Sequence, residues 1–153
     1  MSAYNHPQQP RTKVPVREYL LFAEMTVWCL AAALLVAILP FRHLVRLVGA
    51  PRADLRTSPA KVRCVADIKR AIDRVNNRLP VRIVCIQRAF AMHWALRRRG
   101  IASFLHYGIC RNPQDLKAHV WLTVDDQIVT GAEERPNYVC MAVFPTRVPA
   151  VDA

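Results

Sequence analysis

Two side chains in this sequence have the types and placement for covalent chemistry. Cys85 stands where a loop gives way to a helix, and His119 lies in Ala118-His119-Val120-Trp121, which reads as the start of a β-strand. A helix-opening thiol and a strand-borne imidazole are what a cysteine peptidase or a transglutaminase-like acyl transferase needs: one group attacks a carbonyl while the other moves the proton. A cysteine in a first helical turn faces unpaired backbone N–H groups and the positive end of the helix dipole, and both favour the thiolate. The backbone N–H groups of Cys85 and Ile86 are, by the same placement, natural donors to an oxyanion.

The elements that must hold these groups can be read from pattern. Leu79-Pro80 halts the preceding segment. From Cys85 onward apolar side chains recur at Ile86, Ala89, Phe90, Trp94 and Leu96, and Arg97-Arg98-Arg99-Gly100 gives the cationic last turn and glycine stop of a helix. In the strand, Ala118, Val120, Leu122 and Val124 alternate with His119, Trp121 and Thr123, so the histidine points away from the apolar face. Asp125-Asp126 is a two-residue turn, and Gln127 to Thr130 returns as the partner strand.

A thiolate mechanism wants a third group to fix the imidazole tautomer. A plain two-residue hairpin sets Ala132 opposite His119. Glu133 and Glu134 lie one or two residues from that position, and a one-residue bulge would bring Glu133 across.

The other candidates read as structural. Cys29, Cys64, Cys110 and Cys140 carry no partner motif, and five cysteines without a secretion signal predict reduced thiols in a cytosolic setting. No cysteine or histidine spacing fits a zinc site, and no metal or other cofactor is expected. His93 lies mid-helix and reads as a core or surface residue. His106 lies on the preceding strand, Ser103 to Cys110, from which it could approach the site. Trp121 reads as packing beside the site, and Trp94 as core.

Charge is unevenly spread. Of 22 Lys and Arg residues, 11 fall in residues 61–100 against two acids, whereas residues 101–153 hold four against six acids. A basic helical half suits an acidic peptide, an anionic membrane surface, nucleic acid, or simply solvent. Nucleic acid is set aside, because no recognition motif accompanies the arginines.

Residues 1–16 are polar and proline-bearing and are expected to be disordered. Residues 17–50 form an apolar helical region, in which Met25 to Phe41 holds seventeen uncharged residues, the lower limit for crossing a bilayer. Three readings of this segment stand: a buried or partner-docking helix, a membrane-surface helix, or a single span. The following domain is expected in the cytoplasm in each, with membrane association through Met25 to Phe41 in two of them. Residues 51–60 read as a linker, 61–144 as the catalytic domain and 145–153 as a frayed tail. Within the domain, Val65, Ile68, Ile72 and Val75 space an amphipathic helix over Val62 to Asn77, and strands follow through Tyr138 to Val143. Helices followed by antiparallel strands predict an α+β fold.

Several segments resemble a known family, the leader peptidases of lasso-peptide biosynthesis: the stand-alone form of the microcin-processing B protein, with a transglutaminase-like, papain-like core. The resemblance runs through Val65 to Ile72, Leu79-Pro80, Cys85-Ile86-Gln87-Arg88-Ala89, Leu96 to Ile101, Leu105 to Ile109 and Ala118 to Trp121, with Leu39-Pro40-Phe41-Arg42 before them. It implies a cysteine protease that cuts the leader, bearing a threonine in its penultimate position, from a ribosomally made precursor peptide. A partner asparagine-synthetase-like cyclase would then close the macrolactam. By motif it makes Cys85 the nucleophile and His119 the general base. The family's third residue is an Asp about a dozen positions beyond the His, where this chain has Gly131; Glu133 is the nearest substitute. No leader-recognition domain precedes Val62, so a separate leader-binding protein is expected.

Overall fold

The computed structural model describes residues 15–50, 58–80, 83–112, 114 and 117–146. Of the segment 1–16 expected to be disordered, residues 1–14 lie outside the described residues and Val16 already opens a helix; of the expected linker, 51–57 lie outside them while Pro59 and Ala60 are helical, and the tail from 147 lies outside them too. Four helices come first: α1 (Val16–Ile38), α2 (Phe41–Val48), α3 (Pro59–Arg78) and α4 (Cys85–Arg98). Four strands follow: β1 (Phe104–Cys110), β2 (Ala118–Val124), β3 (Gln127–Thr130) and β4 (Tyr138–Phe144).

Local sequence explains the boundaries. The α1 helix ends at Leu39, whose extended backbone (φ −106°, ψ 134°) is what a residue before proline is pushed into, and α2 restarts after Pro40. At α3, Ser58 Oγ accepts the Lys61 backbone N–H at 3.2 Å and Pro59 fills the first helical position, where a missing N–H costs nothing. At α4, Val84 is extended and its N–H donates to Gln87 Oε1 at 3.1 Å. The first backbone bond into that helix runs from Arg88 N–H to the Val84 carbonyl.

The sheet has the order β3-β2-β1-β4, antiparallel throughout. Asp125 and Asp126 adopt φ of 49° and 62°, the left-handed pair that a tight hairpin turn uses. Lys61 Nζ, 2.9 Å from Asp125 Oδ1, ties this turn to the start of α3. The hairpin carries an irregularity: Leu122 pairs with Thr130 but Thr123 with Ile128, leaving Val129 as one extra residue.

Val120, Leu122 and Val124 of β2 enter the same core as Ala89, Phe90 and Leu96 of α4, Ile68, Ile72 and Val75 of α3, and Met25, Cys29 and Ala32 of α1. Helices therefore cover one sheet face, an α+β arrangement, and α4 lies at its centre. The chain reaches β4 from β3 by passing across the other face. Along that route the Arg135 guanidinium sits 5.8 Å from the Trp121 ring centroid, and Tyr138 packs on His119 at 5.1 Å. This crossing explains why His119 and Trp121, on the face turned away from the helices, are nonetheless only 3% and 2% exposed.

Candidate active site

A cleft of about 430 Å³ opens at the N-terminal end of α4, where it meets β2 and β3. Cys85 and His119 both line it, together with Asn76, Arg88, Thr130, Gly131, Glu133 and Glu134. Cys85 is the first residue of α4 and is partly exposed. Because the helix ladder starts only at Arg88, the N–H groups of Cys85 and Ile86 have no intrahelical acceptor. Beside the sulfur they are available to donate to an oxyanion.

His119 is held by its neighbours rather than by solvent. Its ring lies between Tyr138 at 5.1 Å and Trp121 at 6.1 Å, and Trp121 in turn stacks on His106 at 5.4 Å. Nε2 lies 3.0 Å from the carbonyl oxygen of Gly131. A carbonyl can only accept, so in the neutral ring Nε2 carries the hydrogen and Nδ1 the lone pair. Nδ1 is buried and makes no hydrogen bond among the described residues; the Glu134 carboxylate approaches it to 3.5 Å without aligning for one. The ring's basic nitrogen is therefore fixed in tautomer and left unengaged, in the cleft that the thiol also lines. Neither ring nitrogen bonds to Cys85, as is common for catalytic pairs without substrate.

Gly131 explains its own departure from an acidic residue. Its φ of +80° falls in the left-handed region, and a Cβ there would lie 3.0 Å from His119 Nε2 and 2.9 Å from Trp121 Cβ. A side chain at this position would crowd the imidazole and the Trp121 side chain and force them to shift. The extra residue at Val129 shifts the hairpin by one, as a bulge would, but the ladder ends at Thr130 and Gly131 turns its carbonyl toward the histidine. The group that meets His119 Nε2 is thus a backbone acceptor, the Gly131 carbonyl, and not a carboxylate. Glu133 lies in the cleft wall, whereas the carboxylate nearest the ring is that of Glu134, 66% exposed at its side chain.

Sequence reasoning did not single out Tyr138, which packs on the histidine, or Arg88, whose Nη2 bonds Asp73 Oδ1 at 3.1 Å while its Nε is buried without a partner. Arg88 follows Cys85 by one helical turn, a spacing that places it on the same cleft; that was the available signal. His93 bonds Ser103 Oγ at 2.8 Å and the Val48 carbonyl at 3.1 Å and is a core residue. His106 bonds Thr123 Oγ1 at 2.9 Å, outside the residues lining the cleft. No cluster of metal-ligating side chains occurs among the described residues.

Residues 16–143, from the start of α1 almost to the end of β4, match the transglutaminase-like superfamily. The chain belongs to that superfamily. Its members are typically enzymes built on Cys, His and Asp, and include cysteine proteases and acyl transferases. The match includes α1 and α2 together with the segments that carry Cys85 and His119. No curated protein and no solved structure matches the chain.

Proposed function

We propose that this transglutaminase-like protein is a Cys–His peptidase that removes the leader from a ribosomally made lasso-peptide precursor. The observation that carries the chemistry is the buried, unengaged Nδ1 of His119 in one cleft with a helix-opening cysteine. The leader-peptidase reading rests on the run of resembling segments around Cys85 and His119. His119 Nδ1 takes the Cys85 proton, and the thiolate attacks the scissile carbonyl carbon. The Cys85 and Ile86 N–H groups stabilise the oxyanion. The imidazolium then returns its proton to the departing amine of the core peptide, and water hydrolyses the thioester to free the enzyme. A separate leader-binding protein delivers the precursor, and an asparagine-synthetase-like cyclase takes the freed N-terminus.

The test is mass spectrometry of a candidate leader-core peptide incubated with the protein and its neighbouring leader binder, repeated with Cys85→Ala. Cleavage by wild type alone supports the reading. Cleavage that survives the alanine removes Cys85 as nucleophile, and no cleavage in any combination favours a binding module that retains only the fold.

One observation favours a second reading, acyl transfer to an amine in place of water. Glu133 and Glu134 line the cleft, and two carboxylates would attract a protonated amine. Including an amine acceptor in the same incubation separates the outcomes by the mass of the product.

A further inference from the structure

Among the described residues nothing covers the outward face of α1. Val16, Tyr19, Leu20, Val27, Leu30, Leu34 and Ile38 are 55–73% exposed, and Ala23 and Ala37 share their side of the helix. At about 100° per residue these positions fall within one arc roughly 100° wide, running some 35 Å along the helix axis. A monomeric soluble protein seldom leaves an apolar stripe of this length in water.

We infer that this face seats the protein in the plane of an anionic phospholipid bilayer, independently of the thiol chemistry proposed above. Charge selects this occupant. The only acids of α1 and α2 are Glu18 and Glu24, and both are drawn back onto the domain, Glu18 by Arg74 at 2.6 Å and Glu24 by Arg99 at 2.6 Å. The stripe is bounded instead by cations. Arg17, 80% exposed and 3.6 Å from Asp67, stands at one end, and Arg42 and Arg46 are exposed at the other beside Phe41 and Leu47. Beside the stripe a groove of about 510 Å³ is lined by Trp28, Leu35, Leu47 and Trp94, with Arg97 and Arg98. Aliphatic side chains in the middle, indoles at the edge and arginines around them match the acyl boundary, the interface and the anionic headgroups in turn.

The other occupants fit less well. A second copy of this chain would set arginine against arginine in either orientation, since both ends of the stripe are basic. Although α1 is long and apolar enough to cross a membrane, its inward side carries Met25, Cys29 and Ala32 in the core and the two ion pairs. Spanning would strip that face from the domain. Lying in the interface keeps it.

The experiment is co-sedimentation of the full chain with vesicles of phosphatidylcholine alone or with about one third phosphatidylglycerol, alongside light scattering without lipid. Binding to the anionic vesicles should be at least about tenfold tighter and weaken as salt rises. Leu30→Glu with Leu34→Glu should abolish it while leaving the circular dichroism spectrum and melting temperature near wild type, because both side chains are exposed. Arg42→Gln with Arg46→Gln should weaken it several-fold on anionic vesicles only. Absence of binding, or binding that the double glutamate leaves intact, overturns the inference. So does a dimer dissolved by the same variant in a protein that ignores vesicles, which would assign the face to a second copy.

Discussion

The Gly131 carbonyl oxygen lies 3.0 Å from His119 Nε2, at the position where the family resemblance places an aspartate. A neutral acceptor fixes the tautomer as a carboxylate would, but adds no negative charge behind the ring. Positioning therefore depends on backbone, and on a residue small enough to let the ring approach.

Gly131→Ala should for that reason be far more damaging than its size suggests. The new Cβ meets His119 Nε2 at 3.0 Å and the Val120 carbonyl at 3.0 Å, at a φ that alanine rarely adopts. A displacement of the ring by a few tenths of an ångström, with the strained turn beneath it, should cost about tenfold in kcat. Gly131→Asp should not rescue, because its side chain begins from the same obstructed Cβ. Single-turnover cleavage rates for both variants, with melting temperatures to confirm folding, check this; an active aspartate variant would show that the backbone can rearrange to restore a carboxylate.

The two glutamates should behave differently from each other and from Gly131. Glu134 lies 3.5 Å from His119 Nδ1 but is largely solvent-exposed, so its charge is screened and Glu134→Gln should change kcat/KM by less than about fivefold. Glu133→Gln should leave it within about twofold. A loss of 100-fold at Glu133 would instead identify it as the orienting acid, with the loop closing over the ring when substrate binds.

Much of this site was legible in the sequence. The helix opened by Cys85, the alternation that turns His119 away from the helices, and the Asp125-Asp126 turn all follow from local pattern, and α4, β2 and the hairpin form where that pattern puts them. A bulge was also readable as the device that could shift the register. What pattern could not supply was the end of the ladder at Thr130, since the reach of the Gly131 carbonyl depends on a φ of +80° and on Trp121 lying beneath it. The placement of β4 was equally hidden: it pairs with β1 rather than β3, a long-range choice that buries the polar face of β2 under the crossing segment. That choice brings Tyr138 onto His119, a contact between residues 19 positions apart in sequence.

Reactivity among the thiols offers a test that needs no substrate. Cys140 is exposed and its Sγ lies 3.8 Å from His106 Nδ1, whereas Cys85 is only partly exposed, so access and that neighbouring imidazole would make Cys140 alkylate faster. The helix N-terminus at Cys85, with His119 in the same cleft, should reverse that order, with Cys85 modified first at pH 7 and its lead lost in His119→Ala. Peptide mass mapping during brief iodoacetamide treatment reads both rates. Cys140 leading in the wild type would count against an activated nucleophile at Cys85.

His93 predicts how the fold responds to acid. Burial, chiefly, holds its imidazole down to about 4 from the ordinary 6.5, with Arg97 acting in the same direction and the bond to the Val48 carbonyl partly opposing. The native state thus keeps the ring neutral, whereas the unfolded chain binds a proton below 6.5. Stability from this group is complete above pH 6.5, falls as pH drops from 6.5 toward 4, and loses nothing further below that. The full loss is about 3 kcal/mol, of which about 2 kcal/mol is gone at pH 5. For a chain of this size the melting temperature should fall by about 5 °C between pH 7.5 and pH 5. Glu24, held below its usual value mainly by its hydrogen bond to Arg99, adds its own loss only below about pH 4.5, so the two contributions separate on the pH axis. His93→Gln should be less stable at pH 7.5 but nearly flat between pH 7.5 and pH 5. If the variant keeps the wild-type slope, the proton is taken up elsewhere and the buried ring is not the acid-sensitive element of the core.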